Sequence, residues 1–185
     1  KDELREIMRL ARTVFHRFEA LPVPVIAAIN GLAIGGGAEI VLASDIRVAA
    51  PHAQISMPQV RLGIVTGWAG YERLVRDIGF TRAMEVVTTG ERFDAEEALR
   101  LGIINKVASD KDVVGAAMTY VESFDKAAPL ALAAAKHIIH TAAKGPPDHA
   151  EQIAEDAFVD LWFTEDHREA EKAFAEKCSP NFKGK

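Results

Sequence analysis

The stretch PVIAAINGLAIGGGAE, residues 24–39, decides the fold of this chain. Residues 25–29 form a continuous apolar run of strand length, which is typical of a strand covered on both faces. Asn30-Gly31 predicts a turn, and a helical apolar pattern begins at Ala38, directly after three consecutive glycines. The sequence therefore predicts a buried strand followed by a helix that the chain enters through glycine.

On both sides of this stretch the apolar pattern alternates between strand and helix spacing. Further short strands are predicted at residues 46–50, 54–57 and 103–107. Helical spacing predicts helices at residues 2–20, 71–78, 81–88, 95–101, 111–126, 129–143 and 149–163, with a charged segment at 166–176. The Gly-Pro-Pro at 145–147 predicts a linker. Early strands and late helices predict an α/β fold with a helical C-terminal region, divided into residues 1–110 and 111–185.

Composition excludes several classes of function. The 185 residues carry 22 Lys and Arg against 27 Asp and Glu, a net charge of −5 without a basic stripe, which argues against nucleic-acid binding. The longest apolar stretch, around residues 23–33, is too short to span a bilayer, so no membrane association is expected. A single cysteine, Cys178, excludes an intramolecular disulfide and a cysteine zinc site. Together with the absence of a visible signal peptide, it favours a cytoplasmic location, although the chain begins at Lys1.

Most catalytic motifs are missing from the sequence. A P-loop, a serine-hydrolase elbow and a metalloprotease motif are all absent, and the dinucleotide pattern fails because Ile40 stands where its third glycine belongs. His137 and His140 lie three positions apart on one predicted helix and are a possible metal pair. Without a third ligand at a suitable spacing they are more typical of partly exposed helix residues.

The glycine run has a chemistry of its own. Glycines before a helix let the backbone approach a ligand, and the free N–H groups of the first turn suit an oxygen that becomes negative during a reaction. Glu39 lies in that first turn. Acidic residues are also common there for structural reasons, because the helix dipole stabilises them. From these residues alone, both interpretations stay open.

The chain resembles the crotonase, or enoyl-CoA hydratase/isomerase, superfamily. Members carry a segment like P-V-I-A-A-x-N-G-x-A-x-G-G-G-x-E, which residues 24–39 match. The similarity continues through residues 44–47, 58–64, 73–74, 89–92, 95–98, 101–105, 165–166, 173–177 and 180–183. It implies a crotonase-like core of ββα units, of which residues 1–110 are the C-terminal portion. Residues 111–185 then form a helical region that covers an active site and joins subunits into a homotrimer or homohexamer.

The resemblance implies an acyl-CoA thioester as substrate. The family holds the thioester oxygen between two backbone N–H groups, one of which falls on Gly36, with Gly35 and Gly37 beside the substrate. The other comes from a loop earlier than Lys1, so we expect the N-terminal part of the domain to be missing from this chain. No cofactor and no metal are expected, and coenzyme A enters only as part of the substrate.

Only one of the family's two catalytic carboxylates is present in this sequence. The family's first carboxylate matches Glu39, whereas Gln59 occupies the second position and Gly67 a third one used by some relatives. Glutamine orients a water but exchanges no proton. The resemblance therefore implies an enoyl-CoA hydratase-like enzyme with a single glutamate. The alternatives are another enolate-stabilising enzyme, such as an acyl-CoA decarboxylase or isomerase, and an inactive acyl-CoA-binding relative.

Four further residues are candidates for substrate binding. Trp68 and Tyr71 stand in a loop where relatives commonly have P-G-x-G-G-T, and they are expected to shape the acyl pocket. Ordinary core packing is the alternative for both. Phe174 and Lys177 match positions that resemble the family's adenine and phosphate contacts. A solvated lysine on a charged helix is the alternative for Lys177.

Overall fold

The computed structural model describes residues 1–109, 111–145 and 147–185, with the backbone alone at Pro147. The chain forms two compact units. The first comprises Lys1–Leu21 and Val25–Met118, and the second comprises Pro22–Pro24 and Thr119–Lys185. The boundary predicted at residue 110 and part of the predicted linker, Pro146, lie outside the described residues. The roles assigned to the two predicted regions stay predictions.

The first unit contains both sheets. Its elements, in chain order, are α1 (Asp2–Glu19), β1 (Ile26–Ile29), β2 (Leu32–Ile34), α2 (Gly36–Leu42), β3 (Ile46–Ala49), β4 (Gln54–Ser56), a 3₁₀ turn (Pro58–Leu62), α3 (Gly70–Ile78), α4 (Phe80–Thr89), β5 (Arg92–Asp94), α5 (Ala95–Leu101) and β6 (Lys106–Val107). Helix α6 (Val113–Phe124) continues from this unit into the second. The α/β fold class is as predicted. The strand before the glycines is present, but only Ile29 of it is buried and Ala28 is exposed, so the prediction that both of its faces are covered is wrong.

Two three-stranded sheets hold the first unit together. In one sheet β1, β3 and β6 run parallel, and Ile26 pairs with Ile46. In the other, β2 is parallel to β4, with Ile34 opposite Ser56, and β4 is antiparallel to β5. Strands β2 and β5 were not predicted. Each is three residues long and is defined by its pairing with β4. The strand predicted at residues 103–107 is confined to Lys106–Val107.

The core of this unit fixes helix α2. Ala38 and Leu42 are fully or almost fully buried on its inner face. Burying a leucine side chain contributes about 1.5–3 kcal/mol. The apolar residues packed with them include Ile29, Ala33, Ile55, Met57, Leu74, Ile78, Ala98 and Leu101. Since these residues come from strands and helices on both sides of the glycine run, the start of α2 is held in one place.

The second unit is helical. Helices α7 (Pro129–Lys144) and α8 (Pro147–Trp162) pack against each other, and α9 (Glu165–Glu176) follows. The side chain of Thr164 caps α9 by accepting a hydrogen bond from the backbone N–H of His167 at 3.1 Å. Asp166 is buried, and its carboxylate accepts bonds from the backbone N–H groups of Lys183 and Gly184. Over the described residues, none of the helices has the length and apolarity needed to cross a membrane.

Candidate active site

The glycine run begins with a residue that only glycine suits. Gly35 has φ +58° and ψ −115°, a conformation that L side chains rarely adopt. Its backbone N–H donates to the Ser56 carbonyl oxygen at 2.9 Å, which ties the start of α2 to the end of β4. Gly36 and Gly37 then form the first turn of α2. The first N–H groups of a helix have no acceptor within the helix.

Glu39 belongs to the first turn of α2 and is buried, with 4% of its surface exposed. Its Oε2 accepts hydrogen bonds from the backbone N–H of Trp68 at 2.9 Å and of Gly70 at 3.1 Å. Backbone amides, rather than the head of a cationic side chain, thus bind the carboxyl group. Among the residues that the structure describes, none forms an ion pair with Glu39, so the carboxyl is fixed in position by the backbone amides.

The environment of Glu39 also changes its ionisation. Burial raises the pKa of the carboxyl group, while hydrogen bonds from the backbone of Trp68, Gly70 and Gly67 and the charge of Arg73 lower it in part. The net effect is a pKa above the ordinary glutamate value. A carboxyl group of this kind is suited to accept a proton from a substrate or water and to return it.

Trp68 covers the start of α2. A Cβ built on Gly36 would lie 2.8 Å from Cζ3 and 3.1 Å from Cη2 of the Trp68 ring, so only glycine fits here without displacing the ring. The Trp68 ring also contacts the ring of Phe15 in α1, with the two ring centroids 5.7 Å apart. The structure therefore places Trp68 at the predicted oxyanion position, in contact with packing partners. Its influence on substrate choice stays a prediction.

Gly70 is a site residue that the sequence reasoning missed. A Cβ at this position would lie 2.7 Å from Cγ and 2.9 Å from Oε2 of Glu39, and 2.9 Å from Cε of Met57. The absence of a side chain thus lets the loop close on the carboxylate. Ala69, just before it, has φ +65° and ψ +32°. The glycine at position 70 was the available signal in the sequence, but Glu39, the residue it binds, is 31 positions away.

Gln59 and Tyr71 both place polar atoms in the interior. Gln59 is 5% exposed in the 3₁₀ turn that follows β4. Its Oε1 and the hydroxyl of Tyr71 are buried, and neither has a hydrogen-bond partner among the described residues. Burial raises the pKa of the Tyr71 phenol, and the charge of Glu39 adds to the effect. Tyr71 also packs against the core, so the packing interpretation holds for part of its side chain.

Phe174 and Lys177 belong to the second unit. The ring of Phe174 is 88% exposed, and Lys177 ends α9 in a left-handed conformation with φ +55°. Their assignment to coenzyme A stays a prediction. Within the described part of the chain, no three His, Cys, Asp or Glu side chains are grouped so that they could hold a metal ion, and this includes the surroundings of His137 and His140.

Known proteins resemble the chain over almost its whole length. Residues 8–185 match the family model described as enoyl-CoA hydratase/isomerase. The short-chain-enoyl-CoA hydratase of Clostridium acetobutylicum is 38% identical over 95% of this chain and 67% of its own, and the crotonyl-CoA hydratase of Syntrophomonas wolfei is 36% identical over 97% and 69%. The chain thus spans about two thirds of the length of these relatives.

Solved structures agree with the fold. The enoyl-CoA hydratase structure from Bacillus anthracis superimposes with a TM-score of 0.95 at 35% identity and covers all of this chain and 72% of its own. DspI of Pseudomonas aeruginosa superimposes with a TM-score of 0.94 at 33% identity, covering 99% and 70%. The predicted fold is therefore confirmed.

Proposed function

Because this chain belongs to the enoyl-CoA hydratase/isomerase family, we propose that it acts as an enoyl-CoA hydratase-like lyase with Glu39 as its single acid–base residue. The observation that carries the proposal is the buried carboxyl of Glu39, which lies in the helix turn formed by the glycines and accepts hydrogen bonds from the backbone amides of Trp68 and Gly70. Hydratase relatives at 36–38% identity support the reaction class.

In the proposed reaction, Glu39 takes a proton from water while the water oxygen bonds to C3 of the enoyl thioester. The electron pair of the C2–C3 double bond moves toward the thioester carbonyl, whose oxygen becomes negative. The N–H of Gly36 stabilises this charge, and one such donor is typically worth about 3 kcal/mol. Glu39 then returns its proton to C2, which completes the addition of water across the double bond.

Gln59 has the role of orienting the water. Its buried Oε1 lacks a protein partner among the described residues and can accept a hydrogen bond from a water molecule. Gly35, Gly37, Trp68 and Tyr71 line the thioester and acyl group. Phe174 and Lys177 contact the adenine and phosphates of coenzyme A, and the assembled enzyme is a homotrimer or homohexamer.

A second candidate function follows from Gln59. An enzyme that decarboxylates an acyl-CoA also forms an enolate at the thioester, but it needs no second carboxylate. The amide at position 59 favours this alternative over an isomerase, which generally keeps the second carboxylate.

The test compares Glu39→Gln with the parent protein on short-chain enoyl-CoA and malonyl-type thioesters. We expect kcat/KM for hydration to fall by about 10²–10⁴-fold, the usual contribution of acid–base catalysis. The dissociation constant of the acyl-CoA stays unchanged, since the substitution keeps the shape of the side chain. Glu72→Gln, on the exposed side of α3, is the matched control and retains full activity.

Three results would contradict the proposal. Undiminished hydration by Glu39→Gln would remove this residue from the mechanism. Product from malonyl-type thioesters alone favours the decarboxylase, and binding of acyl-CoA without turnover of either class favours an inactive relative.

A further inference from the structure

Arg73 of α3 is a buried cation that the proposed reaction does not use. Only 3% of its surface is exposed. Its Nε donates to Oε1 of Glu19 at 3.0 Å and its Nη2 to Oε2 of the same residue at 3.4 Å. The remaining nitrogen, Nη1, donates to the backbone carbonyl oxygen of Trp68. One guanidinium group thus joins the end of α1 to the loop that binds Glu39.

The position of Arg73 is fixed from several sides. Glu19 is itself 4% exposed and accepts a further hydrogen bond, from Nη1 of Arg76 at 3.1 Å. The ring of Phe15 lies 5.5 Å from the guanidinium carbon and also contacts the ring of Trp68. A bidentate, buried arginine is far more rigid than a surface one, because its fork geometry matches a carboxylate.

The loop that Arg73 contacts is strained. The amides of Trp68 and Gly70 converge on one oxygen of Glu39, and the residue between them, Ala69, has a left-handed backbone conformation. Such a conformation is unfavourable for a non-glycine residue and persists only where its surroundings enforce it. The peptide bond between Trp68 and Ala69 is the one whose oxygen Arg73 binds.

We propose that Arg73, held by Glu19, is a positioning residue that keeps the Trp68–Ala69–Gly70 turn in the strained conformation that presents two amide donors to Glu39. This inference deepens the proposed function, since it concerns the residue assigned there as acid and base. Arg73 itself contacts no reacting atom.

The consequence can be measured at Glu39. The amides of the turn and the charge of Arg73 both lower the pKa of this carboxyl against the effect of burial. If the turn is released, the hydrogen bonds from its amides are lost, and if Arg73 is replaced, its positive charge is lost. Both changes raise the pKa of Glu39 further. The charge of Glu39 also raises the pKa of Tyr71 of α3, and β2 and β4 carry no ionisable side chains. Tyr71 is present in every variant compared below.

The experiment measures the Glu39 pKa by ¹³C NMR of the side-chain carboxyl in the substrate-free protein, with the signal assigned through Glu39→Gln. The test variant is Glu19→Gln/Arg73→Met, which removes both charges of the pair. Arg76 loses its contact to Glu19 in this variant but keeps its ion pair with Asp77. We expect the Glu39 pKa to rise by about one unit, the size of a typical single-partner effect. The control is Arg76→Met, which also loses a contact to Glu19 but leaves the turn untouched.

A third variant separates the turn from the charge. Adding Ala69→Gly to the double variant relieves the backbone strain, so the turn re-forms without Arg73 and the Glu39 pKa falls part of the way back. In the active enzyme, the acid limb of the pH profile of kcat/KM is expected to follow the same order. An unchanged Glu39 pKa in the folded double variant, or an equal rise in Arg76→Met, overturns the inference. Because the NMR measurement needs no turnover, it stays decisive even if hydration is not the reaction.

Discussion

Replacing Gly36 by alanine tests the contact between the glycine run and Trp68. The new Cβ would lie 2.8 Å from Cζ3 of the ring, whereas ordinary contacts begin at 3.4 Å, so the ring has to move by roughly 0.6 Å. Phe15 lies against the same ring and opposes that movement. Overpacking of this kind costs about 1–3 kcal/mol. Alanine also favours the helix over glycine by up to about 1 kcal/mol, which offsets part of the cost.

Gly37→Ala is the matched control. It lies in the same turn, has no positive φ, and a Cβ there meets nothing within 4 Å. It gains the helix preference without the clash, so the difference between the two variants isolates the contact. We expect the free energy of unfolding, from urea titration, to be about 1–3 kcal/mol lower for Gly36→Ala than for Gly37→Ala.

A double-mutant cycle identifies the partner. In a Trp68→Leu background the space beside Gly36 opens, and the difference between the two glycine variants is expected to vanish. If Gly36 also supplies the oxyanion donor, its backbone N–H stays present in Gly36→Ala but is displaced together with the start of α2. A misplacement of this kind lowers kcat/KM by up to about 10²-fold, with a smaller change in acyl-CoA binding. Equal unfolding free energies for Gly36→Ala and Gly37→Ala, in the presence of Trp68, would refute the packing argument.

Three further predictions concern other parts of the chain. Because the pKa of Glu39 is raised in the folded state, its protonation stabilises the fold fully below the ordinary glutamate pKa, and this stabilisation is lost as pH rises through the folded pKa. The free energy of unfolding of Glu39→Gln should therefore rise relative to that of the parent across this pH window. Urea titrations that give a constant difference between the two proteins would contradict this. Arg47→Met, which breaks a buried 2.8 Å ion pair with Asp77, should cost about 3–5 kcal/mol, against under about 1 kcal/mol for the exposed Arg100→Met in the same denaturation assay. Asp166→Ala releases the backbone amides of residues 183 and 184, so carboxypeptidase should trim the C-terminus faster, as mass spectrometry would record; unchanged trimming would exclude this anchor.

Local patterns predicted the elements that depend on local physics. The strand before Asn30 and the helix after the glycines follow from apolar spacing and backbone freedom, and both are present, although only Ile29 of the strand is buried. The short strands β2 and β5 escaped prediction because each exists only through its pairing with β4. A three-residue segment such as Leu32–Ile34 carries no pattern of its own.

In the candidate site, too, local features could be predicted from the sequence and long-range contacts could not. The position of Glu39 in a helix first turn could be predicted from its spacing to the glycines, whereas the donors that bind its carboxylate come from residues 29 and 31 positions later. No local pattern predicts which amides will converge on a buried oxygen, because that depends on how α1 and α3 pack around the loop. Arg73 shows the difference most clearly. In the sequence it is one of two arginines on an amphipathic helix, whereas in the structure two of its nitrogens bind Glu19 and the third binds the Trp68 carbonyl oxygen. Residue type therefore locates the acid, but long-range contacts set its pKa. Substitutions at those contacts are expected to change the pKa of Glu39 while the glycine run stays the same.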